Sequence, residues 1–286
     1  MSRTSFRRLA RSTSRKAVIV IFATVVLVYI LMPFYWMLKS SLQTNLEIAA
    51  IPPVWIPKSP TLEFYREALH VIPFFRYTIN SLFVSGTTTI ACTCLASMAG
   101  YVLARYKFPG ATLILGVFLF AQLVPGITRI FPLYFLLRGL NLLNTYTGLI
   151  VTYIGFSLPY ETLMLQGYFR GSYPKELEEA AMIDGCNLFM AFLRIVLPVS
   201  LPGIAAIAIH AFLAAWNDFL WASIFLSKGH LKTLQIGVHD FIGEAGVQGA
   251  NSFMAACLMA TIPALILFSL LQRSMVHGLS AGAVKG

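Results

Sequence analysis

Residues 17–38 contain no Lys, Arg, Asp or Glu. A helix rises 1.5 Å per residue, so about 20 apolar residues cover the hydrocarbon thickness of a bilayer, and this run is long enough to do so. A cleaved secretory signal is the rival reading, but an uncleaved first span is expected on two counts: the apolar run is too long, and no small-x-small site follows it closely. Only 11% of the 286 residues are charged and 58% are hydrophobic, whereas a soluble domain carries about a quarter charged residues. Five further apolar segments follow, at about 77–103, 111–137, 146–168, 201–226 and 253–271. The third contains Pro125, Gly126 and Pro132 and is expected to kink or break; Pro159 and Pro263 lie inside the fourth and sixth. No stretch between the segments is long enough for a core of its own. The expected fold is an all-α membrane protein of about six transmembrane helices. A transmembrane domain spans 17–272, between a basic arm at 1–16 and a tail at 273–286. A proline-rich outer loop at 39–75 holds a short helix near 62–69.

Positive charge sets the orientation. The chain has 21 Lys and Arg against 11 Asp and Glu, a net charge of +10. With the N-terminus inside, 13 of the 21 fall on the cytoplasmic side. These are Arg3, Arg7, Arg8, Arg11, Arg15 and Lys16 of the arm, then Arg105, Lys107, Arg170, Lys175, Arg194, Arg273 and Lys285. Both termini and a loop at 169–200 are therefore expected in the cytoplasm. The arm has no acid and is expected to be disordered against anionic lipid headgroups. The excess charge is accounted for by topology and does not argue for nucleic acid.

The 169–200 loop is the longest connection that still reads as ordered. Pro174 suits the first turn of a helix, and Glu176, Glu178 and Glu179 place negative charge on the positive end of its dipole. Asp184 and Gly185 end that helix, with Gly185 free to take a positive φ. Asn187 can cap a second short helix, which Leu197 and Pro198 are expected to end. Leu177, Ala180 and Ala181 give the first helix a small apolar face; Leu188, Phe189, Phe192 and Ile195 give the second a larger one. On pattern alone, a hairpin lying on the membrane surface fits as well as a contact for another protein.

The order Glu179-Ala180-Ala181, three residues, Gly185, nine residues, Ile195-Val196-Leu197-Pro198 resembles the EAA loop of ABC importer permeases. Cys186 stands where a small residue is usual in that family. The resemblance extends over nearly the whole chain from residue 18. It is carried also by residues 101–110, 142–149, 272–286 and the pair Trp216-Asn217, which are similar to the carbohydrate-uptake branch of these permeases. It implies a non-catalytic subunit that pairs with a second, different permease. Two ATPase subunits and an extracytoplasmic solute-binding protein complete such an importer. Glu179, Ala180, Ala181, Asp184, Gly185, Leu188 and Phe189 would dock on the ATPase, which would hold ATP and Mg.

The chain itself offers no engine. It has no Gly-x-x-x-x-Gly-Lys-Ser/Thr to cradle a nucleotide, and no Gly-x-Ser-x-Gly or His-Glu-x-x-His. An ion-driven carrier predicts an internal repeat, and none is found; a membrane-embedded enzyme predicts a nucleophile and base. Cys92 and Cys94 lack a second pair or nearby His and read as buried thiols, not metal ligands.

Ionisable residues within apolar segments are costly and point to function. Counted along straight helices, Arg129 and Asp218 each lie about five residues outward of mid-span, roughly 7 Å from the midplane. Both are expected to face the translocation path or the partner permease and to pair with each other; a structural ion pair is the equal alternative. Trp216 and Asn217 offer an aromatic face and an amide to a sugar, although helix packing suits Trp216 as well. Residues 129–132 resemble the matching stretch in permeases for glycerol phosphate, and a guanidinium can hold phosphate through two parallel hydrogen bonds. A neutral sugar remains the first reading. Glu161 is expected to meet a polar partner, and His210 to be a packing or hydrogen-bonding group.

Overall fold

The computed structural model describes the backbone of residues 3–171, 174–245 and 249–283, and the side chains of 16–171, 174–241 and 249–272. These residues form helices joined by turns and loops. Among the described residues, four helical stretches are long and apolar enough to cross a membrane: Lys16–Leu42, Phe74–Arg105, Tyr146–Gly171 and Ala250–Gln272. Two bent pairs bring the number to six, Ala111–Leu123 with Gly126–Gly139 at 102° and Leu188–Val199 with Leu201–Trp216 at 80°. The chain divides into two compact units, one drawn from 1–71 and 241–259 and the other from 72–240 and 260–286.

In the first unit, α1 (Arg3–Leu42) carries the first apolar run. The basic arm is helical from Arg3, where disorder was expected: once a span is nucleated, each added residue gains a hydrogen bond at little cost. The 39–75 loop is ordered by polar groups. Lys39 is buried, donates to Gln43 Oε1 (3.1 Å) and Val54 O (3.0 Å), and sits 3.7 Å from the Trp36 ring. Thr44 caps α2 (Asn45–Ile48) in a reciprocal box with Glu47. The second helix in the loop, α3 (Glu63–Val71), lies near the expected 62–69, and its Tyr65 hydroxyl meets Ser41 at 2.8 Å.

The second unit is built on α4 (Phe74–Arg105) packed along α7 (Tyr146–Gly171). A buried stripe of Ser81, Ser85, Thr88, Cys92, Ala96 and Gly100 recurs at helical spacing down α4. Small residues let backbones approach in lipid, where hydrophobic drive is absent. At Gly100 the approach is close: a Cβ there would lie 3.0 Å from Leu165 Cβ. Cys94, two residues from the stripe, is exposed, which corrects the reading of Cys92 and Cys94 as two buried thiols.

The third apolar segment is not a kinked rod. α5 (Ala111–Leu123) ends before Pro125, a 3₁₀ turn at Gly126–Arg129 follows, and α6 (Ile130–Gly139) leaves at a steep angle. In the hairpin region, α8 (Glu176–Ile183) is followed by α9 (Leu188–Ala191), a π-helical turn at Phe192–Val196 and α10 (Leu197–Val199). The second hairpin helix therefore does not end at Leu197-Pro198: Pro198 sits in the first turn of α10, where its missing N–H is harmless. Only Ser200 separates α10 from α11 (Leu201–Trp216). The fifth segment breaks again at residues 217–219 before α12 (Leu220–Phe225). Among the described residues α13 (Leu234–Ala245), which lies outside the six apolar segments, and α14 (Ala250–Ala283), which continues into the tail, follow.

Candidate functional site

Two features of the second unit draw on the candidate residues. The first is the hairpin. Asn187 caps α9, its Oδ1 accepting from Met190 N at 2.8 Å. Gly185 has φ +91°, as its place after the first helix predicted. A Cβ there would meet nothing within 4 Å, so the demand for glycine is conformational, not steric. The hairpin presents apolar side chains outward: Ile183 is 86% exposed, Leu188 50% and Phe189 62%. Leu188 and Phe189 also rim a groove of about 320 Å³ against Tyr101 and Val102 of α4 and Tyr106 just beyond it. Ala181 is buried, while Ala180 and Asp184 are exposed. Glu179 is half-exposed and pairs with Lys175 at 3.1 Å.

Glu178, expected only as an acid on the helix dipole, is the glutamate turned inward. It accepts from the Tyr101 hydroxyl at 2.6 Å and pairs with Arg105 Nε at 2.7 Å. Tyr101 belongs to a core with Ala96, Leu165, Phe169, Phe192, Val196 and Ile207. Phe192, on the expected apolar face of the second helix with Leu188, is buried in this core, whereas Leu188 is not.

The second feature is the pair of helix breaks. Arg129 and Asp218 do not pair with each other. Arg129 Nη2 donates to Val124 O at 2.9 Å, and its guanidinium carbon lies 4.6 Å from the Phe156 ring centre. The Asp218 carboxylate accepts from the Tyr153 hydroxyl at 2.7 Å and from Ala222 N at 3.0 Å, at the start of α12. Phe156 packs 4.7 Å from Trp221, and Trp221 belongs to a core with Tyr153, Phe225 and Leu149. The expected pair is replaced by these separate partners, each beside its own helix break. Trp216 is 2% exposed, stacks on Phe212 and donates its indole N–H to Ala260 O at 3.3 Å; this is the packing alternative. Asn217 is exposed.

Residues 93–280 match the family described as binding-protein-dependent transport system inner membrane component. The chain belongs to this permease family. Among its relatives, the sulfoquinovosyl glycerol transport system permease protein SmoH of Agrobacterium fabrum is 38% identical over 92% of each chain. The diacetylchitobiose uptake system permease protein DasC of Streptomyces coelicolor is 34% identical over 92% of this chain and 95% of that one. Among solved structures, a bacterial ABC transporter involved in import of the acidic polysaccharide alginate superposes with a TM-score of 0.79 at 18% identity, over 96% of this chain and 98% of that one, a likeness of fold.

One more polar cluster lies deep in the permease. Glu161 is fully buried on α7, with Oε1 3.5 Å from His210 Nδ1 and Cys92 against it. The His210 ring lies 4.4 Å from that of Tyr160. Glu161 thus has the polar partner expected of it, and His210 is a hydrogen-bonding group.

Proposed function

We propose that the chain is one of two different permease subunits of an ATP-driven ABC importer for a sugar or sugar-like solute. In this reading the 176–199 hairpin is cytoplasmic and seats in a cleft of a separate ATPase. The carrying observation is the hairpin: a Glu-Ala-Ala helix turned by a glycine at φ +91°, with Ile183, Leu188 and Phe189 held out of the core. Exposed apolar anchors of this kind dominate interface energetics when a partner covers them. Two ATPase subunits bind ATP and Mg, an extracytoplasmic solute-binding protein delivers the cargo, and the path runs between the two permeases. Both termini lie in the cytoplasm, with the basic 1–16 arm on lipid headgroups. The names of the relatives support a carbohydrate-like cargo.

A second reading of the cargo, an anionic one such as glycerol 3-phosphate, keeps one observation in its favour. Among the described residues the Arg129 guanidinium has no carboxylate partner and sits over the Phe156 ring. The experiment has two arms. Co-purification of the tagged chain should bring down an ATPase with a Walker motif, and uptake should stop when that ATPase is deleted; uptake that survives deletion overturns the proposal. A thermal-shift screen of the cognate binding protein against neutral sugars, sulfonated sugars and sn-glycerol 3-phosphate separates the two cargo classes.

A further inference from the structure

We propose that Glu178, Arg105 and Tyr101 form a latch that carries movement of the docking hairpin into the transmembrane helices. The inference rests on the hairpin being the ATPase contact. Along α8 only Glu178 and Ala181 are buried, so the hold of this helix on the rest of the permease is narrow. Ala181 contributes a methyl group in apolar contact, and such contacts are non-directional. Glu178 is held by direction. Its two oxygens engage different α4 groups, the Tyr101 hydroxyl at 2.6 Å and Arg105 Nε at 2.7 Å. The Glu178 and Arg105 side chains are only 6% and 9% exposed. Separating a pair so far from water leaves an uncompensated charge, so the pair resists sliding where a greasy contact would yield.

Tyr101 extends that hold. Its ring centre lies 5.0 Å from Phe192 of the π-helical turn, 6.1 Å from Phe169 of α7 and 6.0 Å from Tyr106. One residue of α4 therefore touches α7, the segment leading into α11, and the docking helix. Arg170 at the end of α7 adds a bond to Leu103 O at 3.3 Å. A displaced hairpin thus acts on the membrane helices by two routes, covalently through α9 and the π-helical turn into α11, and through the latch into α4. The neighbouring glutamates divide the work. Glu179 is exposed and available to a partner, and Glu178 faces inward and sets the position of α8. The three latch residues act through one another and through the helices they join; they are positioning residues.

The test uses the complete importer in proteoliposomes, with solute uptake and ATP hydrolysis measured together and ATPase co-purification recorded. Glu178→Gln and Tyr101→Phe should leave the ATPase bound and hydrolysing near the wild-type rate. Uptake per ATP should fall at least about tenfold, within the span usual for coupling between sites. The double variant Glu178→Gln with Arg105→Gln removes both charges of the pair and should recover part of that ratio. Unchanged uptake per ATP in Glu178→Gln overturns the latch. So does a joint loss of assembly, hydrolysis and uptake in both Glu178→Gln and the double variant, which marks a merely structural pair. Failure of the docking reading would look different: Glu179→Lys would leave ATPase co-purification and uptake normal, whatever Glu178 does.

Discussion

Asp218→Ala should destabilise the chain, and by an amount that its bonds determine. The carboxylate accepts from the Tyr153 hydroxyl at 2.7 Å and from Ala222 N at 3.0 Å, with Trp221 N at 3.5 Å. Loss of a helix cap costs about 1 kcal/mol. Tyr153 is 4% exposed, so its hydroxyl would be left buried without an acceptor, roughly another 1–3 kcal/mol. The expected loss is about 2–4 kcal/mol. At about 2–4 °C per kcal/mol, thermal unfolding in detergent followed by near-ultraviolet circular dichroism should shift down by about 5–15 °C. Double-mutant cycles make the assignment specific. Asp218→Ala and Tyr153→Phe should be coupled by about 1–3 kcal/mol, and Asp218→Ala and Arg129→Ala should add within about 0.5 kcal/mol. Coupling above about 1 kcal/mol between Asp218 and Arg129 would refute the reasoning, because it would restore the ion pair that their separate partners replace. A fully stable Asp218→Ala that has lost uptake would refute it too, by making the carboxylate a contact of the cargo.

Gly185→Val should keep membrane insertion and lower uptake per ATP, since a β-branched residue at φ +91° costs about 1–3 kcal/mol of backbone strain and shifts the hairpin angle; Gly185→Asn, more tolerant of positive φ, should be milder. Gly203→Ala should cost about 1–3 kcal/mol in the same unfolding assay, because its Cβ would lie 2.8–2.9 Å from the Tyr168 ring, and Tyr168→Leu should recover much of the loss. Glu47 gives the 39–75 loop a pH dependence. Desolvation works against its charged form, but amides of Lys58, Thr44 and Ser59 outweigh it and hold the carboxyl below its ordinary value. Its contribution is therefore present above the ordinary carboxylate range and lost as pH falls through the lowered value. Hydrogen exchange of residues 44–59, corrected for intrinsic rates, should accelerate at acid pH in the wild type and show no such step in Glu47→Gln.

What was legible in the sequence was what local chemistry determines. The charge-free run at 17–38 could only be a span, Asn187 capped where a cap was needed, and Gly185 took the positive φ that only its lack of a Cβ makes cheap. What was not legible depended on partners far along the chain. Glu178 and Glu179 are adjacent and chemically identical, and which one turns inward is decided by Tyr101 and Arg105 on a helix more than seventy residues earlier. The motif drew the eye to Glu179, and nothing local favours Glu178. Asn144 is similar: at φ 57° its Oδ1 accepts from Ser227 N and Lys228 N, which no spacing rule announces.

The misplaced ion pair carries a more general lesson, because both charges turn out to serve helix breaks. In hydrocarbon, a break frees backbone groups that have no water to meet, and each costs several kcal/mol unless something nearby satisfies it. Val124 is the last residue before the Pro125-Gly126 break, and its carbonyl is met by the Arg129 guanidinium. Residues 217–219 open the other break, and the first amides of α12 are met by the Asp218 carboxylate. The signs are those that the helix dipole favours, a cation at carbonyl ends and an anion at amide ends. An ion pair and two independent caps then respond oppositely to exchange. If the two residues paired, Arg129→Asp combined with Asp218→Arg would restore what either single change loses. As caps, each exchanged side chain meets groups of its own sign, so the double variant should unfold at a lower temperature than either single variant; rescue in the unfolding assay would overturn the capping account.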